Sequence, residues 1–282
     1  MLIKPEHLNY LKNKYQRIFI FGCSFTNYYW PTWANILHWE IPNVTCYNFG
    51  QSGGGNLFIA ATLVAANQKY KFNETDLVIP HWSTYCREDR YIQNGWLTPG
   101  NIWTQGSYDD EFLKKFACAK GYIVRDLAII TSIKYMLQQL PCDSLMLHAV
   151  NPRYDSRYFE GYGFEDVIDL YKDTIESMPE TLYDCVKAID QYGSYNWINA
   201  HEYFNKHHNN GKGGMYQDYH PSPVRYMSYL QNIGINLSSP VKLKAHTVYD
   251  ELLQLTNHDD ILMWSRNLYN STPNYYNSEH LI

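Results

Sequence analysis

The chain is short of charge. Asp, Glu, Lys and Arg together make up 18% of its 282 residues, divided into 23 basic and 28 acidic side chains for a formal net charge of −5. The basic residues are scattered, so the electrostatic footprint that neutralises a phosphate backbone is missing and nucleic acid is not an expected partner. The six cysteines (Cys23, Cys46, Cys86, Cys118, Cys142 and Cys185) contain no C-x-x-C pair. That spacing suggests neither a zinc site nor a disulfide framework. Thiols set in apolar segments read instead as reduced and buried. No apolar run approaches the ~20 residues of a membrane span, and the opening "MLIKPEHLNYLKNKYQR" is too charged for a secretory leader. A cytoplasmic location with no membrane partner follows as the expectation, or a virion if the chain is phage-encoded.

What is present is apolar and aromatic. Hydrophobic residues form 45% of the chain, with 27 tyrosines and 8 tryptophans. Apolar runs alternate with helix-period segments, the pattern of a parallel sheet flanked by helices. Strands are expected at 17–22, 43–50, 76–82, 143–150 and 195–200. Helices are expected near Pro31 and Trp33, over 57–70, over about 111–140, from Ser222 (N-cap) and Pro223 to the terminator Gly234, and over about 243–256 and 258–269. The fold class is thus α/β, a three-layer sandwich around a mostly parallel sheet of about five strands. Residues 1–235 form its α/β domain, with an aromatic insertion at about 86–111. Residues 236–282 read as a helical extension ending in a polar tail, mobile or docked on a partner.

Three loops carry the chemistry. The first strand, "RIFIFG", runs into Cys23, Ser24, Phe25 and Thr26, and strand ends are where α/β proteins place reactive groups. Gly22 permits a tight backbone that would expose the Ser24 hydroxyl. The second strand leads into "NFGQSGGGN", whose glycines let backbone N–H groups approach a ligand closely. Asp218, Tyr219, His220 and Pro221 precede the last core helix, and in extended backbone Asp218 and His220 share a face. A serine hydrolase needs these parts: nucleophile, histidine base, orienting carboxylate and oxyanion donors. Each has a plainer reading. Ser24 could cap the following helix, Cys23 is a small buried residue unless it is itself the nucleophile, and Gly50 and Gly53 could serve only a turn. His207 and His208 lack partners at metal-ligand spacing, so no metal or other cofactor is expected.

Taken in order, these blocks resemble the SGNH/GDSL hydrolases. The family's Gly-Asp-Ser-x-Thr is matched by Gly22, Cys23, Ser24, Phe25 and Thr26, with cysteine replacing aspartate. Its Asn-x-Gly-x-x-Gly is matched by Asn48, Gly50 and Gly53. Its Asp-x-x-His appears one residue shorter, as Asp218 and His220, a spacing similar to divergent bacterial and phage members. Its Gly-x-Asn-Asp block is not matched: after "DLVIP" come His81, Trp82, Ser83, Thr84 and Tyr85. The resemblance covers about 17–235 and implies a flavodoxin-like fold. It implies Ser24, Asp218 and His220 as catalytic residues, and an oxyanion hole from Ser24 and Gly53. Ser83 stands nearest to the missing asparagine, with Asn56 as another substitute.

The expected activity is therefore hydrolysis of O-acyl esters, with an O-acetylated carbohydrate as one substrate. Candidate substrate contacts are Trp82, at the end of the third strand, and Arg87, Trp96 and Trp103, in an insertion that forms either a lid or a loop burying its own aromatics. Two rivals stand beside it. One is a catalytically weak or inactive binding or structural subunit, for instance of a phage particle, assembling through the C-terminal extension. The other is an O-acyltransferase.

Overall fold

A computed structural model describes residues 1–93, 95–103, 107–152, 164–190, 220–255 and 258–277. The apolar run after Gln16 forms strand β1 (Arg17–Phe21), whose side chains alternate between two buried faces. Ile18 and Ile20 join one core, Phe19 and Phe21 the other, as a period of two requires. Burial on both faces marks a central strand of a parallel sheet.

Strands β2 (Thr45–Asn48) and β3 (Asp76–Trp82) flank β1 in parallel register. Arg17 opposes Asp76, and their side chains close a two-pronged ion pair at 2.7 Å for both prongs, on a carboxylate with no exposed surface. Strand β6 (Asp143–Ser144) extends the sheet beyond β3, and β8 (Tyr275–Asn277) extends it beyond β2. The six-stranded order is β6-β3-β1-β2-β8, with the short β7 (Leu147–His148) also against β3. The fold is α/β with a parallel central sheet, as its patterning predicts.

One face of the sheet carries α2 (Trp33–Glu40), α8 (Leu182–Asp190), α9 (Pro223–Asn232) and α10 (Ser239–Leu253). The other carries α3 (Asn56–Tyr70), α5 (Ala119–Gln139) and the short α6 (Glu165–Leu170) and α7 (Lys172–Ile175). A short α1 (Leu8–Leu11) precedes β1, and α11 (His258–Asn270) leads into β8.

Several elements depart from the sequence expectations. The fourth strand is two short pieces: β6 pairs with Leu77 and Val78, β7 with His81 and Trp82. The helix expected over 111–140 is broken into α4 (Asp110–Phe116) and α5 by an extended Cys118, whose Sγ accepts from the Gly121 amide at 3.4 Å. Helix α10 starts earlier than 243 because Pro240 sits in its first turn, where its missing N–H costs nothing. The strand expected at 195–200 lies outside the described residues. Residues 275–277, expected in a mobile or partner-docked tail, are the edge strand of the central sheet, and Tyr275 is buried there. Val241, Ala245 and Val248 of α10 pack with Tyr275 in the core on one face of the sheet.

The insertion carries a hairpin, β4 (Arg90–Ile92) and β5 (Gly95–Leu97), that lies outside the main sheet. From β1 the chain passes to β2 on one side and then to β3 on the other. The order thus reverses between β1 and β3, and the carboxyl ends of strands at such a reversal are the usual ligand position in open α/β sheets.

Candidate active site

Just past β1, the Thr26 and Asn27 amides both donate to Cys23 O, at 2.9 and 3.2 Å, forming one tight turn that carries Ser24. The turn needs Gly22, because a Cβ there would lie 2.0 Å from Thr26 Oγ1. Cys23 points into the core with no exposed surface. The turn is tied to its neighbours through Thr26. Its carbonyl accepts from Thr32 Oγ1 at 2.7 Å and Asn48 Nδ2 at 2.9 Å, and its hydroxyl meets His81 Nδ1 at 3.1 Å. The capping role weighed for Ser24 belongs to Thr32, which closes a capping box with Asn35 at the start of α2. Pro31 therefore precedes the cap and lies outside the first turn of that helix.

His220 arrives from the far end of the chain, immediately before α9. Ser222 caps that helix and Pro223 opens it, as the sequence predicts. The Trp30 indole donates to Pro221 O at 2.8 Å and fixes the approach. The imidazole stacks on Tyr28, with ring centroids 3.7 Å apart at 16°, and tilts against Phe25 at 5.0 Å. Its Nε2 lies 2.8 Å from Ser24 Oγ. Two residues 196 positions apart thus share a hydrogen bond, within the range required of a base and its nucleophile. With Nε2 on the hydroxyl, Nδ1 is the nitrogen on which an orienting carboxylate acts. Asp218, predicted for that role, lies outside the described residues, as do His207 and His208.

The glycine block lies beside this pair. Gln51 N donates to Gly22 O at 3.0 Å, and Asn27 Nδ2 donates to Gly50 O at 3.0 Å. Gly53 has a φ of +77°, and a Cβ on it would lie 2.0 Å from Thr98 O. Only glycine fits there. Thr98 follows the hairpin and braces the same loop, accepting from Gln51 Nε2 at 2.8 Å and donating to Ser52 O at 3.0 Å. Among the described residues neither the Ser24 nor the Gly53 amide donates a hydrogen bond.

Ser83 follows β3 as Ser24 follows β1: each stands three residues past the Phe21–Pro80 pair of the register. Ser83 is buried, and its hydroxyl has no partner among the described residues. Asn56, the other substitute considered, spends its amide elsewhere, on the Ser83 backbone and on Asp126 Oδ2.

The candidate substrate contacts divide. Trp82 has no exposed surface and is a core residue. Arg87 is buried, with Nε on Thr84 Oγ1 at 2.9 Å and Nη1 on Gly54 O at 2.8 Å, so those donors are engaged inside the protein and not offered to a ligand. Trp96 is half-buried between Phe58 and Tyr91, edge-on to both. Trp103 alone of the four keeps a large exposed face, at 36%.

Two buried histidines behind the pair were not singled out as functional by the sequence. His81 is pushed down to about 3 by burial, with His148 adding to the effect. His148, whose Nε2 lies 2.7 Å from Pro179 O, is pushed down to about 4, again by burial. Both are neutral at pH 7. On the insertion side, burial pushes Asp126 up to about 7 against the pull of Arg125 and Asn56. Among the described residues no group of three or more His, Cys, Asp or Glu side chains is placed to hold a metal ion, and no helix is long and apolar enough to cross a membrane.

Neither a protein-family model nor a curated protein matches the chain. Among solved structures it is similar to a member of the lipolytic protein G-D-S-L family from Veillonella parvula DSM 2008. The two are 16% identical over 83% of this chain and 98% of that one, with a TM-score of 0.38. At that distance the functional reading rests on the site geometry.

Proposed function

We propose that the protein is a serine hydrolase of O-acyl esters. The observation that carries this reading is the 2.8 Å contact between Ser24 Oγ, just past the carboxyl end of β1, and His220 Nε2. In this mechanism Ser24 Oγ attacks the ester carbonyl while His220 Nε2 takes its proton. Asp218 holds the imidazole in the tautomer with Nε2 free to accept. The Ser24 and Gly53 amides and the Ser83 hydroxyl receive the negative oxygen of the tetrahedral intermediate. His220 then returns its proton to the leaving alkoxide, and a water repeats the sequence on the acyl-serine. The stacked Tyr28 keeps the imidazole facing the hydroxyl through both halves. An O-acetylated carbohydrate suits the exposed Trp103, since sugar rings stack on indole faces.

A fluorophosphonate probe is expected to label Ser24, and Ser24→Ala to abolish both labelling and turnover of a small acetyl ester. Labelling that survives the alanine substitution would remove the reading.

A further inference from the structure

Two stretches of main chain beside the site are each held through an N–H and a carbonyl. The Gly54–Gly55 peptide accepts from Arg87 Nη1 at 2.8 Å through its carbonyl and donates to Asp89 Oδ1 at 2.8 Å through its N–H. The second Asp89 oxygen takes the Phe58 amide at 3.0 Å, so this carboxylate also caps α3, whose own N-cap residue, Gly55, has no side chain. A Cβ on Gly55 would lie 2.6 Å from Asp89 Oδ2, so the carboxylate's close approach depends on glycine.

The grip is returned in the opposite direction. Asn56, the first residue of α3, takes the Ser83 N–H on Oδ1 at 2.8 Å and reaches the Ser83 carbonyl with Nδ2 at 3.4 Å. The same Nδ2 donates to Asp126 Oδ2 at 2.9 Å. Arg125 closes the network, with Nε on Asp126 Oδ1 at 2.8 Å and Nη2 on Arg87 O at 2.7 Å. Asn56, Arg87, Asp89 and Asp126 are all buried.

A connection between strand and helix needs no such apparatus. Burying two carboxylates and a guanidinium is unfavourable unless each is paired, and apolar packing would do as well for stability. What the network adds is orientation. The segment after β3 fixes the Gly54–Gly55 peptide, one residue past Gly53, while the helix after Gly53 fixes the main chain of Ser83. A backbone amide points where its peptide points, and a serine hydroxyl swings among three staggered positions about its own backbone, so the aim of both starts from main-chain placement.

We infer that Arg87, Asp89 and Asn56 are positioning residues for the oxyanion hole, bracing the loop of the Gly53 amide and the main chain beneath the Ser83 hydroxyl against each other. The inference rests on the acyl-ester reading above. It assigns Arg87 a role in catalysis without substrate contact, and it accounts for how a serine serves where the resembling family uses an asparagine.

The test uses Asp89→Asn, which keeps the shape but loses one acceptor and the charge, with Arg87→Gln as a second variant should the first not fold. Competent sites are counted by fluorophosphonate titration, so that rates are per site. Hydrolysis of p-nitrophenyl acetate and inhibition by a trifluoromethyl ketone, which forms an oxyanion on the nucleophile, are then measured. Loss of one oxyanion donor or its displacement lowers turnover strongly, so kcat is expected to fall about 10- to 100-fold at a KM within about twofold of the parent. Ketone affinity should weaken by the same factor. A lower Tm or fewer titratable sites, with kcat per site and ketone affinity unchanged, would overturn the inference and leave the network a structural one. A parent protein whose Ser24 takes no probe would instead overturn the acyl-ester reading, and the inference with it.

Discussion

His81 offers a measurement of what a buried, neutral imidazole contributes. It has no exposed surface, meets the Thr26 hydroxyl through Nδ1 at 3.1 Å, and is held at about 3 against an ordinary value of 6.5. Below pH 6.5 the unfolded chain takes up a proton there that the fold refuses. The contribution is therefore complete above pH 6.5 and is lost as pH falls toward 3. The whole interval is worth ~5 kcal/mol at 1.36 kcal/mol per pH unit, and the part lost by pH 5 is ~2 kcal/mol. His148, at about 4, adds a similar loss over the same range. Substituting His81→Asn keeps a partner for Thr26 and removes the titration. At pH 7.5 the variant should be less stable than the parent by about 1–3 kcal/mol. By pH 5 the difference should have shrunk by ~2 kcal/mol, because only the parent loses stability through this group. Urea unfolding followed by tryptophan fluorescence at pH 7.5, 6 and 5 gives both free energies. A parent-to-variant difference that stays constant across those pH values would refute the reasoning.

Two further outcomes test the site's surroundings. Tyr28→Leu removes the ring stacked on His220 while leaving the Tyr28 carbonyl for Tyr269; kcat for acetyl-ester hydrolysis should drop about tenfold with little change in KM. Tyr275→Phe deletes the 2.7 Å bond from Asn48 Nδ2 in a buried setting, and a loss of about 1–2 kcal/mol in urea unfolding is expected.

Much of the fold was legible because its signals are local. "RIFIF" and "DLVIPHW" are continuous apolar runs ended by small or polar residues, and both are central strands. Ser222 and Pro223 announce a helix start with residue types that act through their own side chains. The Ser24–His220 contact followed from motif order on that scaffold. Elements set by distant partners were not legible. Tyr275–Asn277 is a three-residue strand that exists because Cys46 and Asn48 offer it an edge. The helix break at Cys118 depends on a thiol acting as cap, which no propensity signals.

The bracing of Gly53 and Ser83 was missed for another reason. A loop arginine read singly belongs in solvent, and only its neighbours say otherwise. Arg87, Glu88, Asp89 and Arg90 stand in succession in a chain otherwise poor in charge. Asp126 shares a buried helix face with Ile123, Leu127 and Ile130. An acid on an apolar face and a dense charged run were the two available signs of an interior network.

The edge strand at 275–277 has a consequence for how the protein is made. Tyr275 is translated 227 positions after Asn48, the residue it bonds. Until it leaves the ribosome, β2 has an open flank beside the glycine block, and such a flank invites pairing with other nascent chains. Completion of the sheet must therefore wait until Tyr275 has emerged. Because Asn48 also holds the Thr26 carbonyl, the nucleophile turn gains its final support only at that moment.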